Sequence, residues 1–394
     1  MARRSVVPQL PPRCMSPPAA FQTTAAREAA LLAPYALRSC DSRGRRYPEA
    51  EHPYRGPFQR DRDRIVHSAA YRRLSGKMQV FTGDMGDYHR TRLTHTYEVA
   101  SIARTMARAL RLNEDLVEAL ALFHDIGHPP FGHAGEDALN ECLAPWGGFS
   151  HNRQALAIAE ELEARYPDFP GLNLTRETLD GQSVRADKAS ALAAPQSPLL
   201  EVQIVDLADS ITYDAHDTDD AVQLGLVPLE ALFDLPLVRQ ARERARSRSA
   251  ELSGKMLRLG VVHELIDIQV TDVLQHAGRE LLQREFSSAD EARHANFRLS
   301  PSNTLQQQKL ELETFLYQQV YRHPRLIQVR REAQARLRAM FNGYQQQLDR
   351  LPPKYQARAL QVGLPRAVGD YLAGMTDRFC DDQYRRYFSG TSPK

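Results

Sequence analysis

Cysteine is scarce and unpaired in this chain. The four cysteines, at positions 14, 40, 142 and 380 of 394 residues, show no C-x-x-C spacing. That speaks against a zinc ribbon or a redox dithiol and points to reduced thiols in a reducing compartment, so a cytoplasmic location is expected. No uncharged apolar run approaches the roughly 18 residues that a membrane-spanning helix needs, so no span is expected and the chain should be soluble. A Gly-rich phosphate loop is missing too, which leaves P-loop and kinase-like chemistry without support. Charge of one sign is lacking as well: 51 Lys and Arg face 49 Asp and Glu. No global field therefore argues for a nucleic-acid or membrane partner. Strand signals are sparse, with "MQVFTG" at 78–83 a short extended candidate, and no fixed-period repeat appears.

Acids are absent from Met1–Arg27, which carries four arginines and five prolines. The lack of a continuous apolar core excludes a secretory signal. An organelle transit peptide would be similarly acid-poor, but the prolines spoil its amphipathic helix, so residues 1–35 read as a flexible Arg/Pro-rich tail. The chain turns helical from about Ala25, and "RSCDSRGRRYPEAEHPYRG" reads as a loop.

What is present is helical periodicity. In "THTYEVASIARTMARAL", Val99, Ile102, Ala103, Met106 and Leu110 recur at helical spacing, and His95 lies one turn before Val99 on the same stripe. In "EDLVEALALFHD", Val117, Leu120 and His124 follow the same logic before Gly127, Pro129 and Pro130 stop the helix. A third segment, "LLEVQIVDLADSITYDAHDTDDAV", sets Val202, Val205, Asp209, Tyr213 and Asp217 near one face. Successive members of its Asp209, Tyr213, Asp217 ladder stand about 6 Å apart along the axis. The expected fold is all-α: a catalytic helical bundle over 36–225, with a C-terminal helical region, 226–394, packed on it.

A lone histidine on an apolar face is usually a satisfied core residue, but here the density matters. An even spread of the 13 histidines would put about two between positions 95 and 151, yet His95, His124, His128, His133 and His151 all lie there. Burying two imidazoles and Asp125 without partners would cost several kcal/mol, so a divalent metal is the economical partner. His95, His124, Asp125 and Asp209 come from three helices whose apolar stripes would meet in one core. Two imidazoles and two carboxylates without a thiolate suit manganese, magnesium, iron, cobalt, nickel or zinc, and sequence does not choose among them.

The pattern His95, His124–Asp125, Asp209 resembles the HD-domain metal phosphohydrolases. The strings "AAYRRLSGKMQVF", "RTRLTHTYEVASIAR", "HDIGHPPFGHAGE", "SHNRQALAIAEELE", "DLADSITYDAHD" and "DYLAGMTDRF" are similar to the deoxyguanosine triphosphate triphosphohydrolase-like branch, in order from about Ala36 to Phe388. The resemblance implies hydrolysis of a deoxynucleoside triphosphate to deoxynucleoside and tripolyphosphate, by water attacking the α-phosphorus. It implies that His95, His124, Asp125 and Asp209 are metal ligands and that His133 and Glu136 are the catalytic pair. It further implies phosphate contacts from Arg92, His128 and His151, and contacts to the sugar and its 3′-hydroxyl from Tyr213 and Asp217. Base recognition is expected around Arg73 and Leu74 and in "GLNLTRETL". Lys77 and Arg73 are weaker phosphate candidates that read equally well as solvated loop charges. Where many members carry a second acid after the ligand aspartate, this chain has Ser210. Assembly into symmetric homo-oligomers and effector nucleotides bound away from the pocket are implied in the same way.

Two other classes compete. One is an HD phosphohydrolase acting on a nucleotide monophosphate, a cyclic dinucleotide or an alarmone, against which the "HPPFGH" insert with Glu136 and the Tyr213/Asp217 ladder speak. The other is a nucleotide-sensing or single-stranded-DNA-binding protein, with a footprint in "RQARERARSRS" (239–249) and "YRHPRLIQVRR" (321–331). Neither stretch interleaves aromatics with its charge as a base-stacking platform would, so a solvated basic face is the favoured reading.

Overall fold

Many helix starts are written into this sequence by short polar side chains. Thr23, Ser68, Thr91, Asn113, Thr175 and Thr376 each accept a hydrogen bond from the backbone N–H three residues on. Each satisfies a donor that the first helical turn leaves open, an effect of about 1 kcal/mol per cap. The computed structural model describes residues 22–79 and 90–388, and every regular element among them is helical. Pairing of extended backbone among the described residues is confined to isolated bridges at Arg45–Thr175, Met78–Thr91 and Ala164–Gly171. The extended candidate at 78–83 is thus represented by Met78, and its part beyond Gln79 lies outside the described residues.

The chain opens with α1 (Thr24–Leu31), α2 (Pro57–Val66) and α3 (Ala69–Arg73). The reading of residues up to 35 as a flexible tail is corrected for its described part. Glu28 of α1 is buried and accepts from the Ser39 backbone N–H and hydroxyl and from Asn113 Nδ2, which docks the helix on the core. Residues 1–21 lie outside the described residues. Next come α4 (Arg92–Ala109), α5 (Glu114–Phe123), α6 (Gly132–Leu143), α7 (His151–Ala157), α8 (Arg176–Ala186), α9 (Lys188–Ala193) and the 24-residue α10 (Leu200–Gln223). The C-terminal half adds α11 (Pro236–Arg248), α12 (Gly254–Arg284), α13 (Ala289–His294), α14 (Asn303–Phe315), α15 (Pro324–Gln346), α16 (Pro353–Val362), α17 (Leu364–Ala373) and α18 (Asp377–Tyr387).

Helices α4, α5 and α10 pack against one another, as their stripes require. Val99, Met106, Leu116, Val117, Phe123, Val202 and Val205 form one apolar core there, all at most 4% exposed. Each such side chain contributes about 1.5–3 kcal/mol by leaving water. The lower part of α10 shares a second core with α11, α12 and α14. A third joins Leu139 and Leu143 of α6 to Leu337, Met340 and Phe341 of α15 and to Val368 and Leu372 of α17. The helix that begins with the "GHAGE" residues therefore finds its apolar partner in the C-terminal region. No described helix is long and apolar enough to cross a membrane.

Candidate active site

The top of α4, the end of α5 and the middle of α10 converge on one cavity of about 440 Å³, a volume in the usual range for small-molecule sites. Arg92, His95, Asp125, His128, His133, His151, Asp209 and Tyr213 line it. A second cavity of similar volume lies between the 37–43 loop, α8 and α13. It gathers no histidines, and its Arg43 is paired with Glu177 and Asp180.

His124 caps the C-terminus of α5, where its Nδ1 lies 2.6 Å from the Ala121 carbonyl oxygen. A carbonyl can only accept, so Nδ1 carries the proton and Nε2 presents its lone pair. That Nε2 is buried without a hydrogen-bond partner, 3.5 Å from Asp125 Oδ1 and 3.7 Å from Asp209 Oδ1. His95 Nε2 stands 3.1 Å from the same Asp209 oxygen. Ligand atoms of His95, His124 and Asp209 all lie within 4.8 Å of one another. An orphaned imidazole nitrogen facing two carboxylates is the donor set a divalent ion uses, so these residues fit a metal. HD domains are metal-dependent, and the groups needed are present.

Asp125 is shared more widely than expected. It stands within 3.0 Å of His128 Nδ1, and its other oxygen accepts from Arg92 Nη1 at 2.9 Å. Burial alone would raise its pKa, but His128, His124 and Arg92 hold it well below the usual carboxylate range. Asp209 is likewise held low against burial, by His124, His95 and Arg185. Burial lowers both His124 and His128 against the pull of Asp125, with Arg92 adding to it at His128, so these imidazoles stay neutral.

The Gly127–Pro130 turn leads from α5 into α6. A Cβ at Gly127 would fall 2.0 Å from the His151 carbonyl oxygen and 2.4 Å from the Ala155 amide nitrogen, so only glycine lets α7 approach. That approach stacks the His128 and His151 rings with centroids 3.7 Å apart. Glu136 receives the His151 backbone N–H at 2.9 Å and faces its Nδ1 at 2.8 Å, while His133 Nδ1 is 3.4 Å away. The sequence paired Glu136 with His133, and the structure keeps that contact while adding a tighter partner, His151. Burial would raise Glu136, but His133 and His151 hold it ionised. The His133 side chain is 51% exposed, within reach of a water molecule.

Other expectations shift. Arg92 lines the cavity with its guanidinium already donating to Asp125 and to the Gln79 carbonyl. Tyr213 lines the cavity, but Asp217 does not: it is buried and accepts from the Tyr321 hydroxyl, and Tyr321 lines the wall in its place. Leu74 is fully buried in the first core, and neither it nor Arg73 lines the cavity, so the expected base contact from the Leu74 side chain is corrected by its packing. "GLNLTRETL" is also turned away. Its Leu172 and Leu174 are core residues, and the Asn173 carbonyl accepts from Arg45 and Arg64. Lys77 is no solvated loop charge, for its ammonium donates to the His128 and Ala373 carbonyls inside the protein.

Sequence reasoning missed Arg185. From α8 it reaches Asp206 at 2.7 Å and Asp209 at 3.2 Å, which puts a cation beside the candidate metal ligands. It also missed Lys188, Asn152, Gln79 and Glu313 on the cavity wall. Ser210 lines the wall too, and its carbonyl accepts from Lys309, which also pairs with Asp214. Polar residues on helices without an apolar period gave no signal that could have placed them here. On α11, Arg239 donates to the Asp234 carbonyl, Arg242 lies over Phe233, and Arg244 and Arg248 pair with Asp267 and Glu264. Much of that basic footprint is spent within the chain.

An HD domain model matches residues 92–214, and a phosphohydrolase-associated domain model matches residues 299–386. A deoxyguanosinetriphosphate triphosphohydrolase-like protein of Ralstonia pickettii is 41% identical over 367 residues, covering 91% of this chain and 95% of the relative. Relatives of the same description from Azoarcus and Geobacter sulfurreducens are each 42% identical, covering 92% of this chain and 98% and 96% of themselves.

Proposed function

The chain belongs to the deoxyguanosinetriphosphate triphosphohydrolase-like family of HD-domain phosphohydrolases, and from that premise we propose that it hydrolyses deoxynucleoside triphosphates to deoxynucleoside and tripolyphosphate. The observation that carries the reading is that one cavity is lined both by His95, Asp125 and Asp209, with His124 beside them, and by His133 and His151, which Glu136 joins. One cluster holds charge next to a phosphate, and the other handles a proton.

In the proposed reaction a water oxygen bonds to the α-phosphorus, the bond from that phosphorus to O5′ breaks, and a proton ends on O5′. His133, exposed on the cavity wall, takes the proton of the attacking water. Glu136 stays ionised and fixes His151, whose ring braces His128 on the phosphate side. Arg185, Lys188 and Arg92, which line the cavity from α8, α9 and α4, offset triphosphate charge. When bound, a divalent ion supplies positive charge beside the reacting phosphorus. Manganese or magnesium is the ion we propose, a mixed set of two imidazoles and two carboxylates without a thiolate being compatible with both. Tyr213 and Tyr321 line the cavity wall, and in the proposed reading Tyr213 packs on the sugar.

The test is a product assay on the purified protein with manganese or magnesium, giving the four deoxynucleoside triphosphates singly and mixed. Nucleoside plus tripolyphosphate, lost in His133→Ala, is the expected result. Release of orthophosphate instead would overturn the reaction type.

A further inference from the structure

The motif "DYLAGMTDRF", Asp370–Phe379, contributes nothing to the chemistry above, yet it grips the turn that presents His133. Asp377 Oδ1 accepts from the Phe131 backbone N–H at 2.9 Å, and its Oδ2 accepts from the Met78 N–H at 2.9 Å. Four residues earlier, the Ala373 carbonyl receives Lys77 Nζ at 2.9 Å, and the same ammonium donates to the His128 carbonyl at 2.6 Å. Thr376 presses on Gly76, where a Cβ would lie 2.8 Å from the Thr376 methyl. Two segments far apart in the chain, 76–79 and 128–131, thus hang on residues 373–377.

The gripped turn needs an outside hold. Phe131 has φ +63° and Gly132 φ +56°, so a bulky residue sits in the left-handed region two residues before His133. Such a conformation persists only where its surroundings over-determine it. The His133 side chain is half exposed, held by a long 3.4 Å contact to Glu136 and by edge-on ring contacts to His128 and His151 with centroids 5.5 and 6.3 Å apart, so these loose contacts leave much of its direction to its backbone. That backbone begins at the N–H that Asp377 holds.

We propose that Asp377 is a positioning residue for the hydrolysis, fixing the Phe131–Gly132 turn and through it the aim of His133. The inference rests on the reading that His133 acts on the attacking water. Misplacing a reacting group by about 1 Å can cost a hundredfold in rate. In Asp377→Asn one of the two backbone donors loses its acceptor with little change in volume.

The experiment compares full-length wild type, Asp377→Asn, His133→Ala and the double variant. Nucleoside release from mixed deoxynucleoside triphosphates with manganese gives kcat and KM, and a thermal midpoint checks folding. Asp377→Asn is expected to lower kcat about 10- to 100-fold with KM within about threefold. It should have no further effect on the residual activity of His133→Ala, measured at high enzyme concentration. An unchanged kcat in folded Asp377→Asn, or an equal fold-loss in the His133→Ala background, would overturn the proposal. Should Asp377→Asn not fold, Gly76→Ala, which pushes Thr376 off the loop, takes its place with the same two criteria. Full activity in His133→Ala would instead remove the premise, a result distinct from a silent Asp377→Asn beside an inactive His133→Ala.

Discussion

Tyr213 shows how much rests on one side chain. Its ring meets that of His95 edge-on with centroids 6.1 Å apart, and burial first, then Asp217, raises its pKa, so it stands as a neutral wall of the cavity. In the proposed reading this ring packs against the sugar and leaves no room for a 2′-hydroxyl. Tyr213→Ala is therefore expected to raise ribonucleotide relative to deoxyribonucleotide turnover by about tenfold to a hundredfold, the range open to steric exclusion of a hydroxyl. Rates of the purified variant on paired substrates check this, and an unchanged ratio would count against it. Tyr213 and the metal-binding candidates were legible because they interrupt apolar stripes with groups that burial makes expensive. Leu74 was misjudged for the opposite reason: an aliphatic residue beside two arginines is as compatible with a core as with a base pocket, and packing made it core.

At the scale of elements, helix identity was readable and helix docking was not. Glu201, in the first turn of α10, reads in sequence as an ordinary N-terminal acid. Folded, it is fully buried and its Oε1 accepts from the Leu37 and Asn113 N–H groups, tying the N-terminal segment and the start of α5 to α10. Burial pushes its pKa up from 4.5 to about 7, against the pull of those amides. The folded chain thus keeps this proton to about pH 7 while the unfolded chain releases it near 4.5. Its contribution is full below that lower value and is lost as pH rises through about 7. Glu201→Gln, which mimics the protonated form, should flatten this fall. Between pH 5 and 8 the wild type is expected to lose up to about 3 kcal/mol more than the variant in denaturant unfolding. Parallel pH profiles would refute the assignment.

At the scale of the whole molecule, the candidate metal cluster joins α4, α5 and α10, so metal binding and folding are coupled. Titrating the metal-stripped protein with manganese is expected to raise its thermal midpoint with the logarithm of concentration, by about 2.7 kcal/mol of stabilisation at a hundred times Kd. His124→Ala should lose most of that response, and an equal response would move the ion elsewhere. The C-terminal helices belong to the same unit, since α6 buries Leu139 and Leu143 against α15 and α17. The sequence by itself determined the all-helical class, the helices that carry the site, and the histidine and carboxylate set, because helical period and desolvation cost are properties of residues near in the chain. The tertiary structure decided that Glu136 serves His151, that Tyr321 covers Asp217, that Arg185 stands beside Asp209, and that Asp377 holds the turn before His133. Those pairs depend on the angles and distances at which packed helices cross, which a chain fixes only when its whole core has closed.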